Sequence, residues 1–182
     1  MRALHYCEKF SSLSETFVYD YITELERAGI DDHVVTHGRE NKEERPFSKV
    51  STITQPNRWH PRRLWHRALI PLGFRKEGTS NWPQLRDRLE SVGRNVQPDV
   101  IHAHFGPEGV MIAPVAQRLQ CSLVVTFYGY DISSLPKEEF WREEYDRLWG
   151  EADAITVLSE QMKRAANSII LNIAERQQAL TT

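Results

Sequence analysis

The sequence is short of most features that would narrow its function at once. It holds only two cysteines, Cys7 and Cys121, far apart and outside any Cys-x-x-Cys spacing, which fits reduced thiols and argues against a disulfide framework or a zinc knuckle. No apolar run approaches the ~18 residues of a membrane span. Met1 to Phe10 alternates polar and apolar residues without the apolar centre of a secretory signal, so a cytoplasmic protein is expected. Neither sign of charge dominates: 23 Lys and Arg stand against 25 Asp and Glu. No global field therefore draws the chain to nucleic acid, and none is expected as a partner. There is no Gly-x-Gly-x-x-Gly fingerprint and no phosphate-loop lysine, which weakens a nicotinamide or ATP reading.

What is present is an alternation of strand and helix patterns over 182 residues, enough for one core. Strands are expected at Arg2 to Tyr6, His33 to Thr36, Val50 to Ile53, Asp99 to Phe105, Leu123 to Phe127 and Ala154 to Leu158. Between them, Leu13, Phe17, Val18, Tyr21, Ile22 and Leu25 recur at helical spacing, with Ser12 and Glu15 spaced as a capping box and Gly29 as a left-handed stop. Asn81 is placed to cap a helix with Pro83 in its first turn, the buried stripe Leu85, Leu89 and Val92, and Gly93 at its end. Further helices are expected at Glu108 to Leu119 and Lys137 to Trp149. Parallel strands need crossover connections, so the alternation predicts an α/β fold with a Rossmann-like, doubly wound parallel sheet. Ligands of such sheets bind beyond the carboxyl ends of the strands.

Four strand ends are polar and turn-rich. The loop Ser14, Glu15, Thr16 runs into a helix whose free amides favour an anion such as a diphosphate, although a plain helix cap accounts for the same residues. His102 and His104 lie two apart, on one strand face, before Gly106 and Gly109. Zinc generally wants three or four protein ligands, and no nearby Cys, Asp or third His completes the set, so no metal is expected. His104 reads either as a hydrogen-bonding group near a ligand or as a core histidine. In Tyr128, Gly129, Tyr130, Asp131 the carboxylate is placed to accept from sugar hydroxyls or to cap its own turn. No clustered acidic pocket is apparent after the first strand.

The stretches SLSETF at 12–17, PDVIHAHFG at 98–106, VVTFYGYDIS at 124–133 and ADAITVLSEQMKR at 152–164 together resemble the N-terminal domain of family 4 glycosyltransferases. The resemblance covers residues 1–164 and implies one half of a GT-B architecture, two Rossmann-like domains facing a cleft. It also implies retaining transfer of a sugar from a nucleotide diphosphate sugar, usually with no essential metal or other cofactor. The N-terminal domain of such enzymes mainly receives the acceptor, here a saccharide or lipid-linked saccharide. Many relatives carry histidine where this chain has Tyr128. By position, Tyr128, Asp131 and His104 are the expected catalytic-site residues, acting by hydrogen bonding and electrostatics. Ser14, Glu15, Thr16, His102, Gly106, Gly109 and Gly129 are the expected substrate-binding residues. Relatives continue after the residue matching Arg164 into a donor domain, whereas 165–182 reads as a helical tail unlike that continuation, so activity is expected to need a donor domain, covalently or as a subunit, and self-association through the open cleft side is a further expectation.

Arg62, Arg63, Trp65 and Arg67 lie in the most basic stretch of the chain, between Arg58 and Lys76, and form an expected peripheral contact with the inner face of a membrane; a helix packed on the sheet gives the same pattern. A non-catalytic saccharide- or protein-binding module on the same fold is the competing expectation.

Overall fold

The computed structural model describes residues 1–54 and 82–179, with side chains as far as residue 169. Its strands are β1 (Arg2–Phe10), β2 (Asp31–Arg39), β3 (Val50–Thr52), β4 (Val100–His104), β5 (Ser122–Phe127) and β6 (Ala154–Val157). All pair in parallel, in the order β3-β2-β1-β4-β5-β6. The helices are α1 (Thr16–Arg27), α2 (Trp82–Val96), α3 (Gly106–Leu119), the single turn α4 (Tyr130–Ser133), α5 (Glu139–Glu151) and α6 (Glu160–Ala179). This is the expected doubly wound sheet.

Side chains alternate across the strands, and the two sheet faces differ in chemistry. One face is apolar: Leu4, Tyr6, Val35, Ile101, Ala103, Leu123, Val125 and Phe127 pack with Leu85, Leu89, Ile112, Val115, Tyr145, Leu148 and Ala166 from the helices. Each such side chain removed from water contributes ~1.5–3 kcal/mol. On the other face, Cys7 and Val34 meet Val18 and Ile22 of α1. That same face buries Asp32, His5, His102, His104 and Thr126.

The element ends differ from the sequence pattern for local reasons. Strand β1 continues to Phe10, and Ser11, with φ 67, turns the chain before α1 can begin. The capping box is therefore not made: Glu15 is the N-cap and forms no side-chain cap bond, while Ser12 Oγ pairs with Ser14 Oγ at 3.2 Å. Leu13, expected on the apolar stripe, precedes the helix and is 74% exposed. The far end of α1 is as expected: Gly29 has φ +90, its N–H donates to Glu26 O, and Ile30 N–H donates to Leu25 O, the paired bonds of a Schellman motif. Gly93 lies inside α2 rather than at its end, because the missing side chain lets Leu119 of α3 lie against the helix. Asn81, the segment 58–76 with Arg62, Arg63, Trp65 and Arg67, and Leu180 lie outside the described residues. Residues 160–179 form one helix, so position 164 is internal to α6.

Gly106 and Gly109 set the distance between α3 and the sheet. A Cβ on Gly106 would stand 2.3 Å from Tyr145 Oη and 2.4 Å from Phe127 Cε1; on Gly109 it would stand 2.9 Å from Val125 Cγ1. Both glycines admit core side chains against the helix. Gly106→Ala should therefore lower unfolding free energy by about 1–3 kcal/mol, and Gly109→Ala by less, as read from urea denaturation midpoints at constant m-value.

Candidate functional site

Strand order reverses between β1 and β4, so the chain leaves β1 toward one sheet face and β4 toward the other, opening a crevice at the carboxyl ends. Phe105, the residue after β4, has φ 78 and ψ 151, a backbone region nearly reserved for glycine that costs ~1–3 kcal/mol. It is held there by its N–H, which donates to Thr126 O at 2.9 Å, and by its ring, 4.6 Å from that of Tyr128.

Asp131 ties the loops after β4 and β5 together. Its Oδ1 accepts from the N–H groups of Tyr128 at 3.0 Å and Gly129 at 2.8 Å, and its Oδ2 from Gly106 N–H at 3.1 Å. Such bonds to a charged acceptor are worth ~1.5–3 kcal/mol each. Of the two sequence readings, capping of its own turn is the one this geometry shows, extended to the first residue of α3. Gly129 has φ +146, a conformation that side-chain-bearing residues rarely adopt, which explains glycine at that step.

Around this tie lies a cleft of about 510 Å³ lined by Glu8, Ser14, Glu15, Phe17, Phe105, Pro107, Glu108, Tyr128, Tyr130, Asp131 and Leu135. Among the sequence-predicted residues, Ser14, Glu15, Tyr128 and Asp131 line it. Thr16, His102, His104, Gly106, Gly109 and Gly129 do not. Glu8 and Glu108 were not foreseen, and with Glu15 and Asp131 they make the acidic cluster that the sequence seemed to lack. They come from separate strand ends, which hides the cluster in the linear chain. No Lys or Arg among the described residues lines the cleft, and the carboxyl groups of Glu8, Glu15 and Asp131 oppose the diphosphate expected at the start of α1. Burial, with added repulsion from Glu8, Glu15 and Asp131, raises the Glu108 carboxyl to about 8. Burial and then Glu8 also raise Glu15.

Beneath Tyr128 lie the histidines. His104 Nδ1 is 2.7 Å from Tyr128 Oη, and His104 Nε2 is 3.1 Å from His5 Nδ1. His5 Nε2 is 2.9 Å from Asp32 Oδ1, and His102 Nε2 is 2.7 Å from Thr126 Oγ1. The missing third histidine of the sequence reading is thus His5: one ring nitrogen from each of His5, His102 and His104 falls within 4.8 Å of the others. Their geometry is that of a hydrogen-bonded cluster. The His102 and His104 rings stack at 4.4 Å with 25° between planes, so their in-plane lone pairs run side by side instead of converging on one point. Burial lowers His102 to about 3, with His5 adding to the shift, and burial followed by His102 and His5 holds His104 well below its usual value.

Glu108 gives a pH signature. An acid raised in the folded state favours folding fully below its unfolded pKa of 4.5 and loses that contribution as pH rises through about 8. His102 and His104, lowered in the fold, contribute the opposite slope below about 6.5, so thermal midpoints should fall from about pH 6.5 to 8, and Glu108→Gln should flatten that fall, being more stable than the unsubstituted chain on the alkaline side.

Residues 14–175 match the family described as Glycosyl transferase 4-like domain. The chain is 29% identical over 102 residues to a Bacillus subtilis (strain 168) protein named as a teichuronic acid biosynthesis glycosyltransferase, TuaC, covering 50% of this chain and 26% of that one. Among solved structures, the UDP-GlcNAc 2-epimerase of Methanocaldococcus jannaschii aligns with TM-score 0.59 and 14% identity over 94% of this chain and 42% of its own. Acinetobacter baumannii MurG aligns with TM-score 0.57 and 10% identity, covering 86% and 41%. Sucrose-phosphate synthase of Thermosynechococcus elongatus aligns with TM-score 0.58 and 13% identity, covering 92% and 45%. At these identities the likeness to solved structures is one of fold, the GT-B type of Rossmann-like half. The chain spans about a quarter of the curated relative and under half of each solved one. A match that runs from the first strand-end loop deep into the last helix is a match to the domain as a whole, and the chain belongs to the Glycosyl transferase 4-like domain family.

Proposed function

We propose that this domain is the acceptor side of a retaining glycosyltransferase, receiving a saccharide or lipid-linked saccharide while a second Rossmann-like half holds the nucleotide diphosphate sugar. The observation that carries this reading is the cleft at the strand ends. It combines the rings of Phe17, Phe105, Tyr128 and Tyr130, which suit the C–H faces of a sugar, with carboxyl groups that exchange hydrogen bonds with hydroxyls. Among the described residues its lining holds no cation for a diphosphate. Transfer by the isolated chain requires the donor half to be added, in the same polypeptide or as a separate subunit. The relative's name, with its reference to teichuronic acid biosynthesis, makes a precursor of that kind the first acceptor class to try.

Calorimetry with a panel of UDP-sugars should give no stoichiometric binding to the chain, with Kd values above ~1 mM. Tight binding accompanied by product formation would sink the acceptor-half reading. On a glycan array, Tyr128→Phe should reduce saccharide binding roughly 2- to 10-fold, the worth of one hydrogen bond; because the variant also strips buried His104 Nδ1 of its partner, its thermal midpoint should fall as well, and binding is compared at a temperature where both chains are folded.

One feature favours a second reading, a non-catalytic module. Leu13, Tyr130 and Leu158, at 74%, 69% and 62% exposure, all follow strand ends on the cleft side, an apolar rim fit for a partner surface. Transfer to an acceptor on mixing with a donor half would decide for the enzyme; saccharide binding without transfer under the same conditions would decide for the module.

A further inference from the structure

Four side chains from four parallel strands form one chain of hydrogen bonds on the α1 face of the sheet: Asp32 on β2, His5 on β1, His104 on β4, and Tyr128 just beyond β5. The links measure 2.9 Å, 3.1 Å and 2.7 Å in that order. Asp32 and His104 show no exposure and His5 1%. Tyr128 alone reaches the cleft.

We infer that Asp32, His5 and His104 are positioning residues, a relay through the sheet that commits the Tyr128 hydroxyl proton inward and leaves the phenol oxygen as a hydrogen-bond acceptor toward the cleft. The direction follows from valence. A carboxylate only accepts, so His5 Nε2 carries a proton and donates to Asp32. In neutral His5, Nδ1 is then bare and accepts from His104 Nε2–H. His104 Nδ1 is bare in turn, and the remaining proton on that link belongs to Tyr128. The neutral state of His104 is independently favoured by its burial among two other imidazoles. Chains of this kind polarise one another in a low-dielectric interior, so the carboxylate at one end acts on the phenol at the other.

The consequence for recognition is specific. The cleft presents an acceptor at Tyr128, which selects a ligand hydroxyl over a carbonyl or phosphate oxygen at that point. That the hydroxyl belongs to a saccharide rests on the proposed function; the relay itself does not.

The experiment needs no ligand. In the unliganded, isotope-labelled chain, long-range proton–nitrogen correlation of the imidazole rings should show His5 and His104 as Nε2–H tautomers with bare Nδ1. An Nδ1–H tautomer at either residue would overturn the relay. So would a doubly protonated His5, which reverses the chain and makes Tyr128 a donor to the cleft. Stoichiometric zinc chloride binding that moves all three histidine signals would also overturn it, in favour of a metal site. In Asp32→Asn, loss of the charge should shift the Tyr128 ring carbon bonded to oxygen while the backbone amide spectrum remote from residue 32 is retained. An unmoved Tyr128 signal in the folded variant would show that the four groups do not act as one chain. Should that variant fail to fold, the tautomers of the unsubstituted chain still decide the matter.

Discussion

The reversal of winding between β1 and β4 is the constraint from which the site follows. Parallel strands cannot be joined by tight turns, and a right-handed crossover must choose a face. Because β2 lies on one side of β1 and β5 on the far side of β4, the chain leaves the two central strands in opposite directions. The gap between them is closed at its base by strand pairing, Leu4 opposite Ile101 and His5 opposite His102, and stays open at the carboxyl ends. Everything placed there depends on loops held from several strands at once, and two devices hold them. The Asp131 carboxylate binds backbone amides from two loops, and the aromatic contact of Phe105 with Tyr128 secures a backbone conformation that would otherwise relax.

The same reversal accounts for the division between sheet faces. The face under α2, α3, α5 and α6 is almost wholly apolar, as expected where burial supplies most of the stability. The α1 face carries the polar seam, and each member of it has a partner: Asp32 with His5, His5 with His104, His104 with Tyr128, His102 with Thr126, and Thr126 with Thr156. An unpaired imidazole in this setting would cost about as much as several methylenes gain. The seam is tolerable because its imidazoles are paired across strands distant in sequence but adjacent in space, in two strings of bonds, with Asp32 Oδ2 left without a partner among the described residues.

Legibility from sequence divides along that line. Fold class, strand positions and the helix stop at Gly29 depend on patterns within a dozen residues, and these were readable. The spacing of His102 and His104 put both on one face correctly, and Tyr128 and Asp131 did fall at the cleft. His5 and Asp32 were not readable, because His5 lies 99 positions from His104 and 27 from Asp32, and nothing in ALHYC or DDHVV marks either residue as paired. Glu108 was hidden for the same reason, its raised carboxyl arising from burial and from charges on other loops. Glycine signals close approach, but the sequence does not say of what; at Gly106 the near neighbours are Tyr145 and Phe127.

The carboxyl groups of the cleft acquire different roles from their surroundings alone. Asp131 is surrounded by backbone N–H groups, so its oxygens are spent on holding the loops. Glu108 shares the cleft, and there burial beside three other acids outweighs the bond from its own backbone N–H and raises its carboxyl to about 8. One acid is thus committed to backbone amides, while the other is left as a neutral donor. With Tyr128 turned into an acceptor by the relay beneath it, the cleft offers a hydrogen-bond donor at Glu108 and an acceptor at Tyr128. A polyol, whose every hydroxyl both donates and accepts, satisfies that pairing; a phosphate, which brings acceptors and negative charge, leaves Tyr128 unmatched and is repelled by the remaining carboxylates.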